Sequence, residues 1–555
     1  MSEASLPQAV IRAEPDGYDM GKRGLMGRQS AGNGFLRAAV KARGDQSIYG
    51  YTPSRQSAVG FQSIVRGIDP AARFEWVSDN ALDSIPKVGA FYLADLTVAT
   101  HARLRQRTGV ASYSLCGVTH TTASHGAMDQ IAALLREPVM PWDALVCTST
   151  AVVGTVNRIL DAERELFQWQ YGAPCAKEPP QLPVIPLGAH WQDYDFDADA
   201  KLQARQALGL ADDEIVGLFV GRLAFHAKAH PYPMFRGMQL AAERTGRRMV
   251  LILSGWFANP SIEKAFLEGA QQFAPDVRTI MVDGRETIPR TNAWAASDLF
   301  ISLSDNIQET FGLTPIEAMA AALPVVVSDY DGYRDTVRHE VDGFRVRTYA
   351  PGEGMGAALA RSHEAQAMTY DQYCWGAAST TAVDIPETAD AIVRLVENPD
   401  LRRRMGEAGR ARARTVYDWD AIFRQYQELW AELAARRASA LTDPRLKAWV
   451  QAAPAASPSR LDPFHAFGHY PTDTLSPETR IAAAPGATLA DLEHALQQGI
   501  FGSLAFDLGR ARSIFSAYAA RESTIAEAAT ATSTTLPPTG RITGFLLKLG
   551  LVVVR

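Results

Sequence analysis

Near the middle of the chain two glutamates, Glu309 and Glu317, flank a turn that contains Gly312. A glycine at such a turn lets the backbone approach a ligand closely. Thr314 and Pro315 are typical of a helix N-cap and first helical position, and Glu317 would then complete a capping box. The free N–H groups of that helix start suit a phosphate, and Glu309 is placed to accept hydrogen bonds from sugar hydroxyls. The alternative is that Glu317 only caps the helix and Glu309 is a solvated loop residue.

The elements around this turn predict where its side chains lie. An apolar strand from Leu299 to Leu303 leads into the turn, and a second from Pro324 to Val327 follows the helix. This is a strand–loop–helix–strand unit of the kind that builds a parallel sheet. Parallel sheets bind ligands in the loops beyond the carboxyl ends of their strands, so the turn is predicted on the ligand side.

A second segment supplies positive charge. Arg222 and Lys228 follow the predicted strand from Ile215 to Val220, which places them at the same carboxyl edge. Arginine offers phosphate a bidentate fork, and lysine offers a mobile point charge. Each residue alone is more often a surface charge, but together with the Glu309 turn they favour a phosphate site.

The string from Asp305 to Ala320 resembles the Glu-x7-Glu signature of the retaining GT-B glycosyltransferases, particularly glycosyltransferase family 4. The segment from Pro324 to Gly332 resembles the same family's next strand and turn. The likeness covers roughly residues 20 to 435 and is strongest from 215 to 345. It implies an α/β fold with two Rossmann-like, doubly wound domains facing a cleft, with the nucleotide-sugar on the C-terminal domain and the acceptor mostly on the N-terminal one.

The resemblance and the element pattern together divide the chain into four predicted parts. They are an acceptor-side Rossmann-like domain (1–199), a nucleotide-sugar-binding Rossmann-like domain (200–398), helices crossing back to the first domain (399–438), and a linker with a small, mainly helical C-terminal module of unknown role (439–555). The last part lies beyond the resemblance and is faintly like a winged helix. Its terminal segment, Arg541 to Val554, reads either as a membrane-surface helix or as a buried helix followed by a strand.

The resemblance also assigns roles to individual residues. The predicted catalytic set is Glu309 on the transferred sugar, Arg222 and Lys228 on the diphosphate, and His120 on the donor sugar. The predicted donor-binding set is Glu317 on the ribose, the backbone amides of Phe311, Gly312 and Leu313, Gly255 lining the nucleotide pocket, and Arg285 beside the base. The Arg–Lys spacing is one residue longer than the commonest family form. His125, which is close in sequence, is an alternative candidate for the role of His120. His120 itself is alternatively a packed histidine with a purely structural role.

A glycine-rich stretch precedes the first long helical pattern. Its glycines are Gly21, Gly24, Gly27, Gly32 and Gly34. The part from Gly27 to Gly34 resembles the family's first glycine-rich loop. That likeness implies that Gly32 and Gly34 let backbone amides approach donor or acceptor, and that Arg28 helps to bind the acceptor. An ordinary turn explains the same glycines.

Composition excludes several classes of protein. The 555 residues argue for more than one domain, and a net charge of −6 gives no reason to expect nucleic acid. Four cysteines without a close pair suggest neither a disulfide framework nor a zinc site, as in a cytosolic protein. No signal peptide or spanning segment is recognisable, so we expect a cytoplasmic location, with peripheral contact to the inner face of a membrane left open.

No essential metal or other cofactor is expected. Two segments look like the Asp-x-Asp motif of metal-dependent transferases, Asp329 to Asp331 and Asp193 to Asp199. The first lies inside the family-like strand and turn, and the second is more simply a solvated acidic turn. Positive charge from Arg222, Lys228 and the helix start would replace a metal.

These residues predict a retaining glycosyltransferase of the hexosyltransferase type. It would move a sugar from a nucleotide-diphospho-sugar to a carbohydrate or lipid-linked acceptor, in cell-surface polysaccharide or glycoconjugate synthesis. The alternatives are a nucleotide-sugar epimerase or phosphorylase of the same architecture, or a non-catalytic nucleotide-sugar-binding protein. The sugar, the base, the linkage and the oligomeric state are not encoded in any recognisable motif.

Overall fold

The structure is a computed structural model that describes residues 7–20, 27–501 and 507–555. The chain forms two compact units, Met1–Ser457 and Pro458–Arg555. The larger unit contains two parallel sheets of six strands each, which is the layout that the sequence predicts. Among the described residues, no helix combines the length and the apolar character needed to span a bilayer.

The first sheet has the strand order β3-β2-β1-β4-β5-β6, and every described pairing in it is parallel. Its strands are β1 (Val10–Arg12), β2 (Ile48–Tyr51), β3 (Phe74–Val77), β4 (Ala90–Leu93), β5 (Ser114–Val118) and β6 (Ala144–Val146). Its helices are α1 (Gly27–Ala42), α2 (Arg55–Ile68), α3 (Ile85–Val88), α4 (Val98–Arg105), α5 (His125–Arg136) and α6 (Thr150–Tyr171), with 3-10 turns at Pro15–Gly17 and Asp79–Ser84. Strands β4, β5 and β6 are buried throughout, as expected for strands covered by helices on both faces.

The second sheet repeats this topology with the order β12-β11-β10-β7-β8-β9. Its strands are β7 (Ile215–Leu223), β8 (Met249–Phe257), β9 (Val277–Asp283), β10 (Leu299–Ser302), β11 (Val325–Ser328) and β12 (Gly343–Val346). Its helices are α7 (Ala198–Ala207), α8 (Tyr232–Thr245), α9 (Pro260–Phe273), α10 (Thr287–Ala296), α11 (Leu313–Ala320) and α12 (Tyr333–Thr336), after a 3-10 turn at Trp191–Tyr194. Strand β7 continues three residues beyond its predicted end at Val220, so Arg222 lies within a strand, and Gly255 lies within β8.

A helical excursion and a set of long helices complete the larger unit. The excursion comprises β13 (Thr348–Tyr349), α13 (Ala357–Glu364), α14 (Tyr370–Ala378) and β14 (Ala382–Val383). The helices that follow are α15 (Ile385–Glu397), α16 (Pro399–Val416), α17 (Trp419–Ala440) and α18 (Pro444–Gln451). Helix α17 presents Trp419, Phe423, Tyr426 and Trp430 at helical spacing to the core of the first sheet. The chain therefore returns to its first half after completing the second.

The smaller unit packs its helices around a three-stranded antiparallel sheet with the order β16-β15-β17. Its elements are α19 (Pro463–Ala466), β15 (Arg480–Ala483), α20 (Leu489–Leu496), a 3-10 turn (Gly499–Phe501), α21 (Leu508–Ala520), β16 (Ser523–Thr524), α22 (Ile525–Ala531), α23 (Leu536–Lys548) and β17 (Val552–Val554). Ile542 and Leu546 of α23 are fully buried in this unit's own core. This favours the buried-helix interpretation of the terminal segment over a membrane-surface helix.

Candidate active site

The candidate site lies where the strand order of the second sheet reverses. Strands β7 and β10 are neighbours, although three helices and two strands separate them in sequence. Loops that follow such a pair of strands diverge and leave a crevice for ligands. Here the segments at and beyond the ends of β7 and β10 carry Arg222 and Lys228 on one side and Gln308 and Glu309 on the other.

Two of the contacts that join these segments involve the predicted site residues. The Lys228 Nζ lies 2.5 Å from the Glu309 Oε2, and the Arg222 Nη2 donates to the Gln308 Oε1 at 3.2 Å. The Arg222 guanidinium also donates to the carbonyl oxygen of Ala227 at 3.3 Å, which fixes it against its own loop. The structure thus brings together both cations and the first glutamate that the sequence singled out.

The electrostatics of Glu309 keep it charged. Burial of its carboxylate acts to raise the pKa, but the charge and hydrogen bond of Lys228 and the backbone N–H groups of Thr310 and Phe311 outweigh burial, so the Glu309 pKa lies below its usual value. Glu309 is therefore a carboxylate at neutral pH. The ring of Phe311 is buried and packs edge-on against Tyr417, so only its backbone faces the site.

The turn before α11 differs from the predicted capping box. Helix α11 begins at Leu313, its N-cap is Gly312, and no side chain caps it. Glu317 is consequently the fifth residue of the helix, and the predicted Thr314–Glu317 capping box is wrong. Gly312 has a φ of +83°, and a Cβ at this position would lie 2.0 Å from Tyr333 Cε1. The glycine is thus required by backbone conformation and by the packed tyrosine, which the sequence did not reveal.

Glu317 faces the 3-10 turn that precedes α7. Burial raises the Glu317 pKa, and a hydrogen bond with Tyr194 together with the charge of Arg290 only partly offsets the effect of burial. Burial, and then the charge of Glu317, raises the pKa of Tyr194 well above its usual value. A hydroxyl donor already lies beside this carboxylate, which is compatible with a role in binding further hydroxyls.

Two further carboxyl groups at the site were missed from the sequence. Burial raises the pKa of Asp305 to about 7, although the backbone N–H of His230 donates to it. Burial, and then the charge of Glu309, raises the pKa of Asp331 to about 8. The Asp331 Oδ2 is buried without a hydrogen-bond partner, and the residue has a left-handed φ of +48°. An aspartate beside a glycine in a turn was the available signal, and it was interpreted only as a false metal motif.

His120 lies beyond the end of β5 in the first sheet. Its Nε2 is 2.9 Å from the carbonyl oxygen of Ala94, and because a carbonyl can only accept, Nε2 carries the hydrogen. Burial lowers the pKa of His120, and the charge of Arg28 adds to this effect. The side chain is therefore neutral, with Nδ1 available as an acceptor. The competitor His125 instead pairs with Asp129 and contacts the ring of His363.

Gly255 and Arg285 lie at the neighbouring edge of the second sheet. Gly255 is opposite Gly221 in the β7–β8 pairing, and a Cβ on it would lie 2.0 Å from the Gly221 carbonyl oxygen. Its glycine identity is therefore explained by strand packing. Arg285 is exposed and binds Asp283 at 2.6 Å, and within the described part of the chain it makes no hydrogen bond or ion pair with the Glu309 turn.

The predicted first glycine-rich loop is wrong for Gly32 and Gly34, because both lie inside helix α1. A Cβ on Gly32 would lie 2.1 Å from the Gly17 carbonyl oxygen, and one on Gly34 would lie 2.2 Å from Trp419 Nε1. These glycines permit close packing and do not present free amides. Arg28 is exposed on the first turn of α1, whereas Gly21 and Gly24 lie outside the described residues.

Hydrogen bonds connect the first sheet's loops to the second sheet's site. Ser149 caps α6, and its Oγ donates at 2.7 Å to the carbonyl oxygen of Thr310, the residue that follows Glu309. Thr121, next to His120, contacts the Tyr370 hydroxyl of α14 at 2.9 Å. The loops of His120 and Glu309 are therefore held near each other across one crevice.

The acidic look-alikes are engaged with arginines. Asp329 lies 3.4 Å from Arg345, and Asp193 lies 2.8 Å from Arg37. Within residues 7–20, 27–501 and 507–555, no group of three or more histidine, cysteine or acidic side chains is arranged to hold a metal ion. The absence of an essential metal or cofactor stays a prediction.

Comparison with known proteins places this geometry in a family context. Residues 201–361 match the family described as Glycosyl transferases group 1. An uncharacterised glycosyltransferase of Methanocaldococcus jannaschii is 28% identical over 210 residues, which are 36% of this chain and 52% of that protein. A D-inositol 3-phosphate glycosyltransferase of Kineococcus radiotolerans is 29% identical over 311 residues, or 53% and 61% of the two chains. The chain spans about half the length of the curated relatives it matches.

A solved structure gives the same answer for the fold. A glycosyltransferase from Rickettsia africae superposes with a TM-score of 0.50 at 13% identity, over 77% of this chain and 98% of that one. At this identity the likeness concerns the fold alone. The predicted GT-B fold and the resemblance to family 4 are confirmed.

Proposed function

We propose that this chain, which resembles the GT-B glycosyltransferases of family 4, is a retaining hexosyltransferase that moves a sugar from a nucleotide-diphospho-sugar to an acceptor hydroxyl. The observation that carries the proposal is the meeting of Lys228 and Arg222 with the Glu309 turn. Two cations and a helix N-terminus lie in one crevice, where a diphosphate would be bound, next to a carboxylate that accepts sugar hydroxyls.

Each residue then has a defined task. Arg222 and Lys228 stabilise the charge that develops on the leaving diphosphate, which lowers the barrier without a metal. Glu309 accepts hydrogen bonds from the transferred sugar, and Glu317 binds the ribose. The departing phosphate takes the proton of the acceptor hydroxyl as the new bond forms on the same face of the sugar, so the configuration is retained. The Nδ1 of His120 accepts a hydrogen bond from a hydroxyl of the donor sugar.

The biological setting is part of the proposal. We place the reaction in the cytoplasm, in the assembly of a cell-surface polysaccharide or glycoconjugate, with a carbohydrate or lipid-linked acceptor. Peripheral contact with the membrane would suit a lipid-linked acceptor.

A thermal-shift screen tests donor binding directly. UDP, GDP, ADP and their sugar conjugates are added to the full chain, and the true donor raises the Tm by mass action. Arg222→Ala and Lys228→Met should reduce the shift, whereas the control Lys264→Met, an exposed lysine of α9, should retain it in full. A wild-type chain that responds to none of these ligands, or variants that respond like the control, would overturn the proposal.

A further inference from the structure

A cavity of about 240 Å³ lies at the carboxyl edge of the first sheet. Its lining residues are Arg12, Glu14, Tyr51, Thr52, Pro53, Thr100, His101 and Leu104. Strands β1 and β4 are neighbours at the reversal of this sheet's order, as β7 and β10 are in the second sheet. The cavity is therefore the counterpart, in the first domain, of the crevice that holds Arg222 and Lys228.

The cavity adjoins the predicted transfer site. Asp95 and Thr97 follow β4, and both bind the Arg12 guanidinium, at 3.4 Å and 3.2 Å. The residue before Asp95 is Ala94, whose carbonyl oxygen holds His120. One loop thus binds Arg12, which lines the cavity, and also positions the histidine assigned to the donor sugar.

The charges of the cavity disfavour an anionic ligand. Arg12 is its only cation among the described lining residues, and Arg12 already binds Glu14 at 2.5 Å as well as Asp95. One positive charge faces two negative charges, so no described lining cation is left for a phosphate. The Glu14 carboxylate is more than half exposed, and carboxylates accept several hydrogen bonds.

The remaining polar groups suit hydroxyls. The Nδ1 of His101 lies 2.9 Å from the Thr97 carbonyl oxygen and must donate to it, which leaves Nε2 as an acceptor with no partner among the described residues. The Thr100 hydroxyl donates to the Gln130 Oε1 at 3.2 Å and the Tyr51 hydroxyl to the Asp79 Oδ1 at 3.4 Å, so each oxygen can still accept a hydrogen bond. The rings of Tyr51 and Pro53 add apolar surface. Acceptors and hydroxyls around a small apolar surface are the chemistry that recognises a polyhydroxylated ligand.

We propose that this cavity binds the acceptor, and that the acceptor group it takes is an uncharged polyol or saccharide unit and not a phosphorylated one. The inference rests on the proposed function. It separates this chain from the relative named for D-inositol 3-phosphate, since an anionic acceptor would meet Glu14 and Asp95 without a free cation to balance it.

Matched pairs of acceptors test the inference. The pairs are myo-inositol and inositol 3-phosphate, glucose and glucose 6-phosphate, and glycerol and glycerol 3-phosphate, each with the donor that binds in the thermal-shift screen. The readout is acceptor-stimulated release of the nucleoside diphosphate. The neutral member of at least one pair should be used with a kcat/KM about tenfold or more above its phosphorylated partner, because like charges in the cavity oppose the phosphate.

Variants of Glu14 sharpen the test. Glu14→Gln should raise the acceptor KM about tenfold while the donor KM stays unchanged, since a hydrogen bond to a carboxylate is lost. Glu14→Lys should shift the preference toward the phosphorylated member. The control is Glu75→Gln, an exposed glutamate of β3 in the same domain.

The outcomes are distinguishable from failure of the proposed function. If no donor binds, the thermal-shift screen reports that separately. If the donor binds, the inference is overturned when a phosphorylated member is the better acceptor, when no neutral member stimulates release, or when Glu14→Gln leaves the acceptor KM unchanged.

Discussion

Removing the charge of Glu309 should separate nucleotide binding from transfer. In the structure Lys228 is bound to Glu309, yet the proposed reaction requires Lys228 to bind the diphosphate. A nucleotide must therefore compete with Glu309 for this ammonium group. Glu309→Gln removes the competitor while keeping the size and shape of the side chain.

The burial of the pair sets the size of the effect. The Lys228 side chain is 34% exposed and that of Glu309 is 10% exposed, so solvent screens the pair in part. Such an ion pair contributes about 1 kcal/mol at most, which corresponds to about fivefold in affinity. We expect Glu309→Gln to bind the nucleoside diphosphate as tightly as the wild type or up to about fivefold tighter. Transfer should fall about 100-fold or more, because the charged partner of the sugar hydroxyls is lost.

Two measurements on the same protein preparation check this. Isothermal calorimetry gives the Kd of the nucleoside diphosphate, and single-turnover transfer gives the rate of the chemical step. Lys228→Met is the matched variant and should weaken nucleotide binding while slowing transfer. If Glu309→Gln weakened nucleotide binding in parallel with Lys228→Met, the competition between carboxylate and diphosphate would be refuted.

Three further predictions concern the surroundings of the site. Because the Asp331 pKa is raised to about 8, the carboxyl group is neutral below that pH and anionic above it. Calorimetry should therefore show the nucleotide affinity falling as the pH rises through about 8. The variant Asp331→Asn should show no such fall. Gly312→Ala should lower the free energy of unfolding by about 1–3 kcal/mol, whereas Gly126→Ala, at an open position in α5, should not; equal denaturation midpoints would contradict the strain argument. Gly34→Ala should lower the Tm by crowding Trp419 but leave the nucleotide Kd of the folded protein unchanged; a changed Kd would return Gly34 to the binding site.

Most strands of the second sheet were predictable from sequence because their signal is local. Residues 299–301 and 325–327 are wholly apolar, as buried parallel strands must be, and the helix between them was predicted although its first residue was not. The spacing of Arg222 and Lys228 after a strand was also enough to place them on the ligand side. The sequence did not reveal which residues Arg222 and Lys228 contact. Lys228 and Glu309 are 81 residues apart, and they come into contact only because their strands are neighbours in the sheet.

The errors have the same physical origin. Gly32 and Gly34 were interpreted as loop glycines because their packing partners, Gly17 and Trp419, are not visible in the local pattern. The capping box was wrong because the helix begins at Leu313, one residue before Thr314, after Gly312, whose positive φ and close approach to Tyr333 only a glycine allows. In each case a residue type with several uses was assigned its local use, and a tertiary contact decided otherwise.

The repeated strand order gives the two predicted substrates opposite electrostatic environments. Both sheets reverse their order between the first and fourth strand, and both reversals carry a charged cluster. At the second sheet, Arg222 and Lys228 face Glu309, and burial raises the pKa of the other two carboxyl groups at the site, Asp305 and Asp331, so a diphosphate can displace Glu309 from Lys228. At the first sheet, one arginine faces two carboxylates, so an anion would be repelled and a neutral polyol would be accepted. A donor that entered the first cavity by mistake would meet this same repulsion. On the proposed assignment, the asymmetry of charge between two equivalent positions in the fold would direct each proposed substrate to its own domain.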